Sequence, residues 1–339
     1  MKKIFDLPSK FQGCLLGLAI GDALGAPVEF MSLDEIKKKY GNTGVTDFKS
    51  WSSFNAGCYT DDTQMALATA EGCISADQRW KDRGICNSAT VVHRRYLEWL
   101  KRQSDPFESR GPGHTCLEAL ESGEMGTLEE KINDSKGSGG VMRIAPVGLS
   151  CSPQNAFEIG AKFAAITHGH PSGYLSAGFL ALVISHIARG KSLPSAVSLA
   201  VKKLKEHKGN EETLEKVQLA QKLSRSKKPV NESIEMIGQG WVGEEALGIS
   251  LYCALKFPSD YYKAVLASVN HSGDSDTTGT ITGAILGTIL GIEGIPGKWV
   301  KGVENSDKIK GIADDMFKYI IESHEIHRHS SEYVKYPPY

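Results

Sequence analysis

Two short clusters of acidic and hydroxyl side chains are the groups in this sequence best suited to chemistry. Residues 60–62 read TDD and residues 274–277 read DSDT, each directly before an apolar stretch with helical spacing. One Asp or Thr at such a place is normally explained as an N-cap, which accepts a hydrogen bond from a free backbone amide. One helix start needs only one cap, however, and each cluster supplies two carboxylates. If the clusters converge, four carboxylates repel one another unless a cation lies between them.

The donor atoms of the two clusters indicate which cation could bind. All of them are oxygen, and neither cluster contains a Cys or a pair of His, so Mg²⁺, Mn²⁺ or Ca²⁺ is favoured over zinc. Asp274, Asp276 and Gly279 imitate the first half of an EF-hand loop, but Ile285 occupies the twelfth position, where that loop needs a bidentate Glu. We therefore expect one shared site that is not an EF-hand, with two ions about 3.5 to 4 Å apart if it is dinuclear.

Helices have to position these clusters. Apolar residues recur with helical spacing along most of the chain, and few segments alternate with the period of a β-strand. We therefore predict an all-α fold. The predicted helices are Phe11–Leu24, Thr63–Ser75, Ala89–Lys101, Ala156–Ile166, Gly173–Arg189, Leu193–Glu206, Glu211–Ser224, Gly243–Leu255, Tyr261–Ser268, Thr280–Gly291 and Lys308–His324.

Two of these helices carry glycine at every fourth position. The positions are Gly13, Gly17, Gly21 and Gly25 in the first and Gly279, Gly283, Gly287 and Gly291 in the second. Glycine in a helix interior costs about 0.5 to 1 kcal/mol relative to alanine, so such a stripe indicates a compensating close approach of backbones. We predict that the two helices pack directly against each other, which brings Asp22 and Glu29 towards the acidic clusters.

Composition limits the classes of partner. With 39 Lys and Arg against 40 Asp and Glu, the chain lacks the basic footprint of a protein that binds nucleic acid or an acidic membrane. The longest apolar runs, residues 173–188 and 281–292, fall short of the roughly 20 residues that a bilayer needs. The seven Cys form no CxxC pair, which is typical of buried thiols in a reducing compartment. We expect a cytoplasmic monomer with one domain over residues 1–339, of which residues 323–339 form a solvated tail.

Six motifs carry a resemblance to a known family. They are GLAIGDALGAPVEF, YTDDTQM, GSGGVMR, THGHP, GWVGEEAL and GDSDTTGTITGAILG. In their order and spacing, from about Phe11 to Gly291, they resemble the ADP-ribosylglycohydrolase family, which includes dinitrogenase reductase-activating glycohydrolase. The resemblance implies an all-α fold with a dinuclear magnesium or manganese centre. It also implies hydrolysis of the glycosidic bond that joins ADP-ribose to a protein side chain or a related acceptor.

The resemblance also implies roles for the acidic residues. The ligands of two Mg²⁺ or Mn²⁺ ions would be Thr60, Asp61, Asp62, Asp274, Asp276 and Thr277. Glu29 matches a family glutamate close to the metals and the ribose, and its apolar neighbours favour this role over that of a solvated surface carboxylate. A metal ion can orient the ribose hydroxyls and activate a water, and a nearby carboxylate then acts as base or stabiliser. Glu29 and Asp62 are the candidates for that catalytic role.

ADP-ribose also needs a cradle for its diphosphate. Two glycine-rich loops, residues 110–115 and 136–143, offer backbone amides that bind phosphate without net basicity, although such composition is also typical of flexible connectors. A histidine of THGHP would hydrogen-bond near the ligand, with His168 preferred over His170. Trp241 would supply an aromatic face, although a Trp before a helix is also typical of a core. The substrate-binding candidates are Gly111, Gly113, Ser138, Gly139, Met142, His168 and Trp241.

One departure from the family pattern concerns the acceptor. Arginine-directed members have an aspartate in a loop that reads GPGHT here, at residues 111–115, and Glu108 is the candidate replacement. Arginine stays the leading acceptor, because GWVGEEAL resembles bacterial members of that type. The alternatives are a hydrolase for serine-linked or O-acetyl-ADP-ribose, an immunity protein that counters and docks to an ADP-ribosylating toxin, and an ADP-ribose-binding module without turnover.

Overall fold

Helix α3, Asp61–Arg83, begins and ends at residues whose types explain the boundaries. The hydroxyl of Thr60 accepts a hydrogen bond from the Asp62 amide at 3.3 Å, which caps the helix start. At the other end Gly84 takes a left-handed conformation, φ 66°, in which glycine meets no Cβ penalty. Helix α14, Ser275–Leu290, repeats this plan: Asp274 is the N-cap and Gly291, at φ 69°, ends it. Each acidic cluster therefore both caps a helix and lies at its first turn.

The computed structural model describes residues 7–339. Within that range the structure is helical, with isolated β-bridges and no strands, which confirms the predicted all-α fold. The other α-helices are α1 Leu7–Gly25, α2 Leu33–Tyr40, α4 Ser88–Arg102, α5 His114–Glu121, α6 Ala145–Ser150, α7 Pro153–Ala165, α8 Pro171–Ala188, α9 Leu193–Leu204, α10 Glu211–Ser224, α11 Val230–Ile237, α12 Gly243–Lys256, α13 Tyr261–Val269, α15 Gly297–Gly302, α16 Ser306–Met316 and α17 Ser331–Lys335.

Helices α1 and α14 form the centre of the domain and pack through their glycines. A Cβ on Gly17 would lie 2.3 Å from the carbonyl oxygen of Gly283, and a Cβ on Gly21 would lie 2.0 Å from that of Gly279. Nearly every residue of both helices is buried. The predicted contact between the two glycine stripes is confirmed, and backbone touches backbone along its length.

The remaining helices surround this pair. Helices α12 and α13 pack on α14, while α16 packs on α1 and on α3. Helix α8 is buried along most of its length and contacts α6, α7 and α9. The hydrophobic core runs without interruption through these elements, and its largest buried side chains include Trp99 and Trp299.

The end of the chain departs from the sequence prediction. Residues 323–339 were expected to form a solvated tail, but Tyr336 is fully buried and Ile326 is only 5% exposed. The Tyr336 hydroxyl donates to Asp315 at 2.6 Å, and Arg95 donates to the carbonyl oxygen of Lys335 at 2.8 Å. Ile326 and Tyr336 belong to the hydrophobic core, so the predicted tail is a structural element.

Two helices are apolar and long enough to cross a membrane by length and composition alone, which the sequence analysis did not expect. They are Leu7–Val28 and Pro171–Ala188. In the structure 94% and 83% of their apolar windows are buried inside the domain. Burial of this kind is what core helices show, so this feature is weak as an indication of a membrane span.

Candidate active site

The two acidic clusters meet where the first turns of α3 and α14 approach the end of α1. The contact is close, since a Cβ on Gly25 would lie 2.5 Å from the Cα of Asp276. A cavity of about 550 Å³ opens over this point. Its lining includes the predicted metal ligands other than Thr60, which is buried beside it, and all of the other predicted site residues. The lining members among the predictions are Glu29, Asp61, Asp62, Gly111, Gly113, Ser138, Gly139, Met142, His168, Trp241, Asp274, Asp276 and Thr277.

Asp22, in α1, lies beside the acidic clusters. It was not among the predicted site residues. Its carboxylate accepts hydrogen bonds from the amide of Thr60 at 2.9 Å, the amide of Thr63 at 2.9 Å and the hydroxyl of Thr63 at 2.6 Å. These bonds fix the start of α3 against α1. Burial, followed by the charge of Asp276, raises the pKa of Asp22 to about 7. An acid inside the apolar GLAIGDALG helix was the signal that could have found it.

The other carboxyl groups of the site are perturbed by the same two causes. Burial first, and the charge of Asp276 second, raise the pKa values of Asp61, Asp62 and Asp274 well above their usual range. Burial and the neighbouring aspartates raise the pKa of Glu29 to about 11. Carboxylates that raise one another's pKa in this way form a single electrostatic cluster. Perturbation of this size is typical of functional sites.

The cluster fits a hard divalent cation by its chemistry. All the donors are oxygen atoms, and Oδ1 of Asp62 is buried with no hydrogen-bond partner in the described part of the chain. An acceptor left unpaired in this way is costly unless something binds it. Between residues 7 and 339, however, no three Asp, Glu, His or Cys side chains are already arranged as a metal-binding group. The ligand assignment therefore stays a prediction that depends on donor type, burial and mutual repulsion.

Both glycine-rich loops are tied to the carboxylates by hydrogen bonds. The amide of Asp61 donates to the carbonyl oxygen of Arg110 at 3.2 Å, and the amide of Gly113 donates to Asp61 at 3.4 Å. In the second loop the hydroxyl of Ser138 donates to Asp274 at 2.7 Å. The loops are thus fixed next to the acidic cluster, and both contribute residues to the lining of the cavity.

Gly139 packs closely against two side chains. A Cβ there would lie 3.0 Å from Sγ of Cys116 and 3.0 Å from Cε1 of His168. Both His168 and Met142 line the same cavity. Because burial lowers the pKa of His168 to about 3, its imidazole is neutral at physiological pH.

An aromatic pair lies at the mouth of the cavity. Trp241, which is 37% exposed, stacks on Phe30 with ring centroids 5.0 Å apart and planes at 22°. Phe30 is 75% exposed and holds a left-handed backbone conformation, φ 64°, which is unusual for a bulky residue. Sequence reasoning found Trp241 but missed Phe30, because a positive φ leaves no mark in an isolated sequence. The pair offers a face for a planar ring.

Glu108 does not lie in the site. It is absent from the residues that line the cavity, and its carboxylate faces Arg102, 4.0 Å away. Neither group of that pair is buried, so the contact adds little stability. The expectation that Glu108 replaces the aspartate of arginine-directed relatives therefore finds no support in the geometry.

Comparisons with known proteins agree with one another. The model of the family described as ADP-ribosylglycohydrolase matches residues 5–325. ADP-ribosyl-[dinitrogen reductase] glycohydrolase of Rhodospirillum rubrum is 27% identical over 297 residues, 86% of this chain and 89% of its own. ADP-ribosylarginine hydrolase Tri1 of Serratia proteamaculans is 26% identical over 91% of this chain and 79% of its own. A solved structure titled ADP-ribosylglycohydrolase-related protein complex matches with a TM-score of 0.69 at 23% identity, covering 92% and 98% of the two chains.

Proposed function

The chain belongs to the ADP-ribosylglycohydrolase family, and from that premise we propose that it is a metal-dependent hydrolase that releases ADP-ribose from modified protein side chains. The observation that carries the proposal is the buried carboxylate cluster at one side of a cavity of about 550 Å³. A charge-dense group of oxygens is what a divalent-metal hydrolase needs. The two glycine-rich loops beside it suit a diphosphate.

We assign the metal site to Thr60, Asp61, Asp62, Asp274, Asp276 and Thr277. When bound there, a pair of Mg²⁺ or Mn²⁺ ions would orient the ribose hydroxyls and make a water more acidic near the anomeric carbon. Asp22 supports the proposed ligands indirectly, because its three hydrogen bonds fix the first turn of α3. The unpartnered Oδ1 of Asp62 is the oxygen most in need of a cation.

Hydrolysis adds water across the glycosidic bond, so that hydroxide joins the anomeric carbon and a proton leaves with the acceptor nitrogen or oxygen. Glu29 and Asp62 both border the cavity and are the candidates to accept the proton of the attacking water. Glu29→Gln and Asp62→Asn separate the two roles. Loss of a base that is not a metal ligand lowers kcat without weakening metal affinity. Loss of a metal ligand weakens metal affinity as well.

The leading acceptor is arginine. One similar protein supports it by its name, ADP-ribosylarginine hydrolase. Glu108 lies outside the cavity, so it is not placed to contact the guanidinium of an arginine acceptor. For this reason hydrolysis of serine-linked or O-acetyl-ADP-ribose remains the second candidate function. We further propose that the protein acts as a cytoplasmic monomer. Defence against an ADP-ribosylating toxin is the alternative role, and neighbouring genes would distinguish it.

The test is a panel of ADP-ribosyl-arginine, ADP-ribosyl-serine peptide and O-acetyl-ADP-ribose, with release of ADP-ribose measured in Mg²⁺, in Mn²⁺ and in EDTA. We expect release from the arginine adduct with metal, and a loss of at least about 100-fold in EDTA and in Asp276→Asn. Asp34→Asn is the matched control, because Asp34 also lies in the first turn of a helix but is exposed.

Each other outcome has a definite meaning. Full activity in EDTA contradicts the metal mechanism. Binding of ADP-ribose without release from any substrate leaves only a binding module. Cleavage of the serine or acetyl compound alone replaces arginine as the acceptor and keeps the hydrolase.

A further inference from the structure

His168 lies in the connection between α7 and α8, and one edge of its ring faces the cavity. The side chain is only 1% exposed, yet it lines the cavity. A Cβ on Gly139 would lie 3.2 Å from its Nε2, and one on Gly137 would lie 3.3 Å from the same atom. In the described part of the chain Nε2 has no hydrogen-bond partner, since the one bond of this ring is made by Nδ1. One nitrogen of a buried side chain is thus left without a partner at the wall of the cavity.

The opposite edge of the ring is held by a chain of two hydrogen bonds. Nδ1 of His168 lies 2.9 Å from the hydroxyl oxygen of Thr167. The same oxygen accepts a hydrogen bond from Nη2 of Arg143 at 2.6 Å. A guanidinium can only donate, so Thr167 is the acceptor in its bond with Arg143. The hydroxyl keeps its own hydrogen for another acceptor, and Nδ1 is the nitrogen that can take it.

The alternative direction is chemically poorer. If Nδ1 carried the hydrogen, the Thr167 oxygen would accept from both Arg143 and His168. The hydroxyl hydrogen of Thr167 would then have to be donated to the thiol of Cys116, the other polar side chain that interacts with this hydroxyl. Sulfur is a weak acceptor. The arrangement therefore selects the ring form with a bare Nδ1 and a hydrogen on Nε2.

Arg143 is rigid enough to impose this order. Its side chain is fully buried, and its guanidinium stacks on Tyr96 at 4.4 Å from the ring centroid. It also donates to the carbonyl oxygen of Phe163 at 3.3 Å and to the sulfur of Cys116 at 3.5 Å. Its charge acts with burial to keep His168 unprotonated. A buried guanidinium is expensive, and a function in ordering the neighbouring ring explains why the chain retains it.

We propose that Arg143 and Thr167 are positioning residues that hold His168 as a neutral imidazole with its hydrogen on Nε2, ready to donate to an oxygen of a ligand under the loop of residues 137–139. The ligand has an acceptor oxygen of the phosphate type. The amides of Gly137 and Ser138 already donate to Ser135 and Trp241, which leaves the amide of Gly139, in the lining of the same cavity, as a second donor for that oxygen. Only the identification of this ligand as ADP-ribose rests on the proposed function. The other ring form would turn a lone pair towards the ligand oxygen and repel it.

The direct test is ¹⁵N nuclear magnetic resonance of the His168 ring in the whole protein. We expect Nδ1 to resonate as an unprotonated nitrogen and Nε2 as a protonated one, unchanged from pH 8 to pH 5.5. A hydrogen on Nδ1, or a ring that titrates near the ordinary histidine pKa of about 6.5, overturns the proposal. This measurement needs no substrate and no variant.

Variants of Thr167 supply the second test. Thr167→Val removes the hydroxyl and should weaken ADP-ribose binding about tenfold, the usual effect of one lost hydrogen bond to a charged group. Thr167→Ser keeps the hydroxyl and should bind within about threefold of the parent. Thr282→Val is the matched control, since Thr282 is buried and its hydroxyl has no partner in the structure. Calorimetry with ADP-ribose in Mg²⁺ measures all four proteins.

The outcomes separate this inference from the proposed function. Equal affinity of Thr167→Val and the parent overturns the role of Thr167. A protein that hydrolyses no substrate contradicts the proposed function, while the ring form measured in the same sample still decides the present inference. If Thr167→Val does not fold, the ring form in the parent and the affinity of Thr167→Ser decide it.

Discussion

At the scale of single residues, the site concentrates carboxyl groups that would be more stable apart. Asp276 is the common partner, because its charge raises the pKa of each of its neighbours. Those neighbours are Asp22, Glu29, Asp61, Asp62 and Asp274. Such a cluster lowers the stability of the metal-free protein, and a bound cation would remove the repulsion. Function and stability are therefore opposed at this point of the fold.

The first consequence is a pH dependence of stability in EDTA. The pKa of Glu29 is raised to about 11 and that of Asp22 to about 7, so between pH 9 and pH 7 the folded state binds protons that the unfolded chain does not. The stabilisation from these groups is complete below their pKa in the unfolded chain. It is lost as the pH rises through their pKa in the folded protein. We expect these two carboxyl groups to contribute roughly 1 to 3 kcal/mol to the increase in the free energy of unfolding from pH 9 to pH 7. The thiols of Cys14, Cys73 and Cys151, whose pKa values burial also raises, add to the same increase.

Urea denaturation at the two pH values measures this change. Histidine does not affect this measurement. Burial lowers the pKa values of His168 and His271 to about 3 and about 4, so these groups reduce the stability of the protein only below about pH 6.5. Glu29→Gln should reduce the slope by roughly 1 to 3 kcal/mol over this range, and saturating Mg²⁺, which favours ionised ligands, should also reduce it. A Glu29→Gln variant with the same slope as the parent in EDTA would contradict the coupling.

Much of the site could be predicted at this scale, since acids and glycines with fixed spacing leave a clear pattern. The carboxylates of residues 60–62 and 274–277 do converge, and both glycine-rich loops do border them. Asp22 was predicted to approach the clusters but was given no role in the site, because the sequence alone does not show that its carboxylate accepts three hydrogen bonds at the start of α3. Phe30 was missed because its place depends on a left-handed backbone, φ 64°, which follows from tertiary packing.

At the scale of elements, the spacing between α1 and α14 is set by backbone atoms. Where Cβ atoms would stand, carbonyl oxygens of the other helix already lie. The helices carry Asp22 at one side of the contact and Asp274 and Asp276 at the other. Their separation therefore fixes how closely the carboxylates approach, which makes the glycine stripes part of the site's construction.

We expect Gly283→Ala to lower the free energy of unfolding by roughly 3 kcal/mol or more, at the upper end for overpacking. Its Cβ would lie 2.1 Å from the carbonyl oxygen of Gly17, and backbone cannot swing aside as a side chain can. Gly311→Ala is the control: Gly311 lies in α16 with nothing within 4 Å of an added Cβ, so it should gain about 0.5 to 1 kcal/mol. Urea denaturation of both variants checks this, and an unchanged Gly283→Ala would refute the packing argument.

Element boundaries were harder to predict than element existence. Helix α14 was predicted from Thr280 but begins at Ser275, because its polar first turn carries site residues instead of an apolar stripe. Helix α3 was predicted to end at Ser75 but runs to Arg83, where the pair Asp77 and Lys81 at 2.7 Å supports an exposed turn. Short helices such as α5 and α11 hold too few periodic residues to be recognised.

At the scale of the whole molecule, the last residues close the surface of α3 and α4. Arg79 and Arg95 donate to carbonyl oxygens of Pro338 and Lys335 at 3.2 and 2.8 Å, and Tyr336 fills a buried position. Arg79 lies in the later turns of α3, and Arg95 of α4 donates to Ser75 in the same part of α3, whereas the site lies at the first turn of α3. A helix of 23 residues spans roughly 35 Å, so the two ends are far apart.

Deletion of residues 331–339 should therefore lower stability and spare the chemistry. We expect a loss of roughly 3 to 5 kcal/mol, comparable with removal of a buried aromatic side chain, while ADP-ribose release per folded molecule stays within about twofold. Tyr336→Phe keeps the ring and loses only the bond to Asp315, which predicts a loss of about 1 kcal/mol. Thermal melting and activity assays at a low temperature test both variants. A deletion that leaves stability unchanged would show that the segment is dispensable.

The pairing of α1 with α14 also sets an order of events during synthesis. About 250 residues separate the end of α1 from the start of α14, and at typical rates of translation that is roughly 10 to 50 seconds. Throughout this interval α1 has left the ribosome without the helix that covers its smooth face. A nascent chain therefore presents an apolar, glycine-rich helix for which chaperones have time to compete. Any product terminated before residue 274 retains that exposed helix and lacks Asp274 and Asp276, so it needs disposal and contributes no activity.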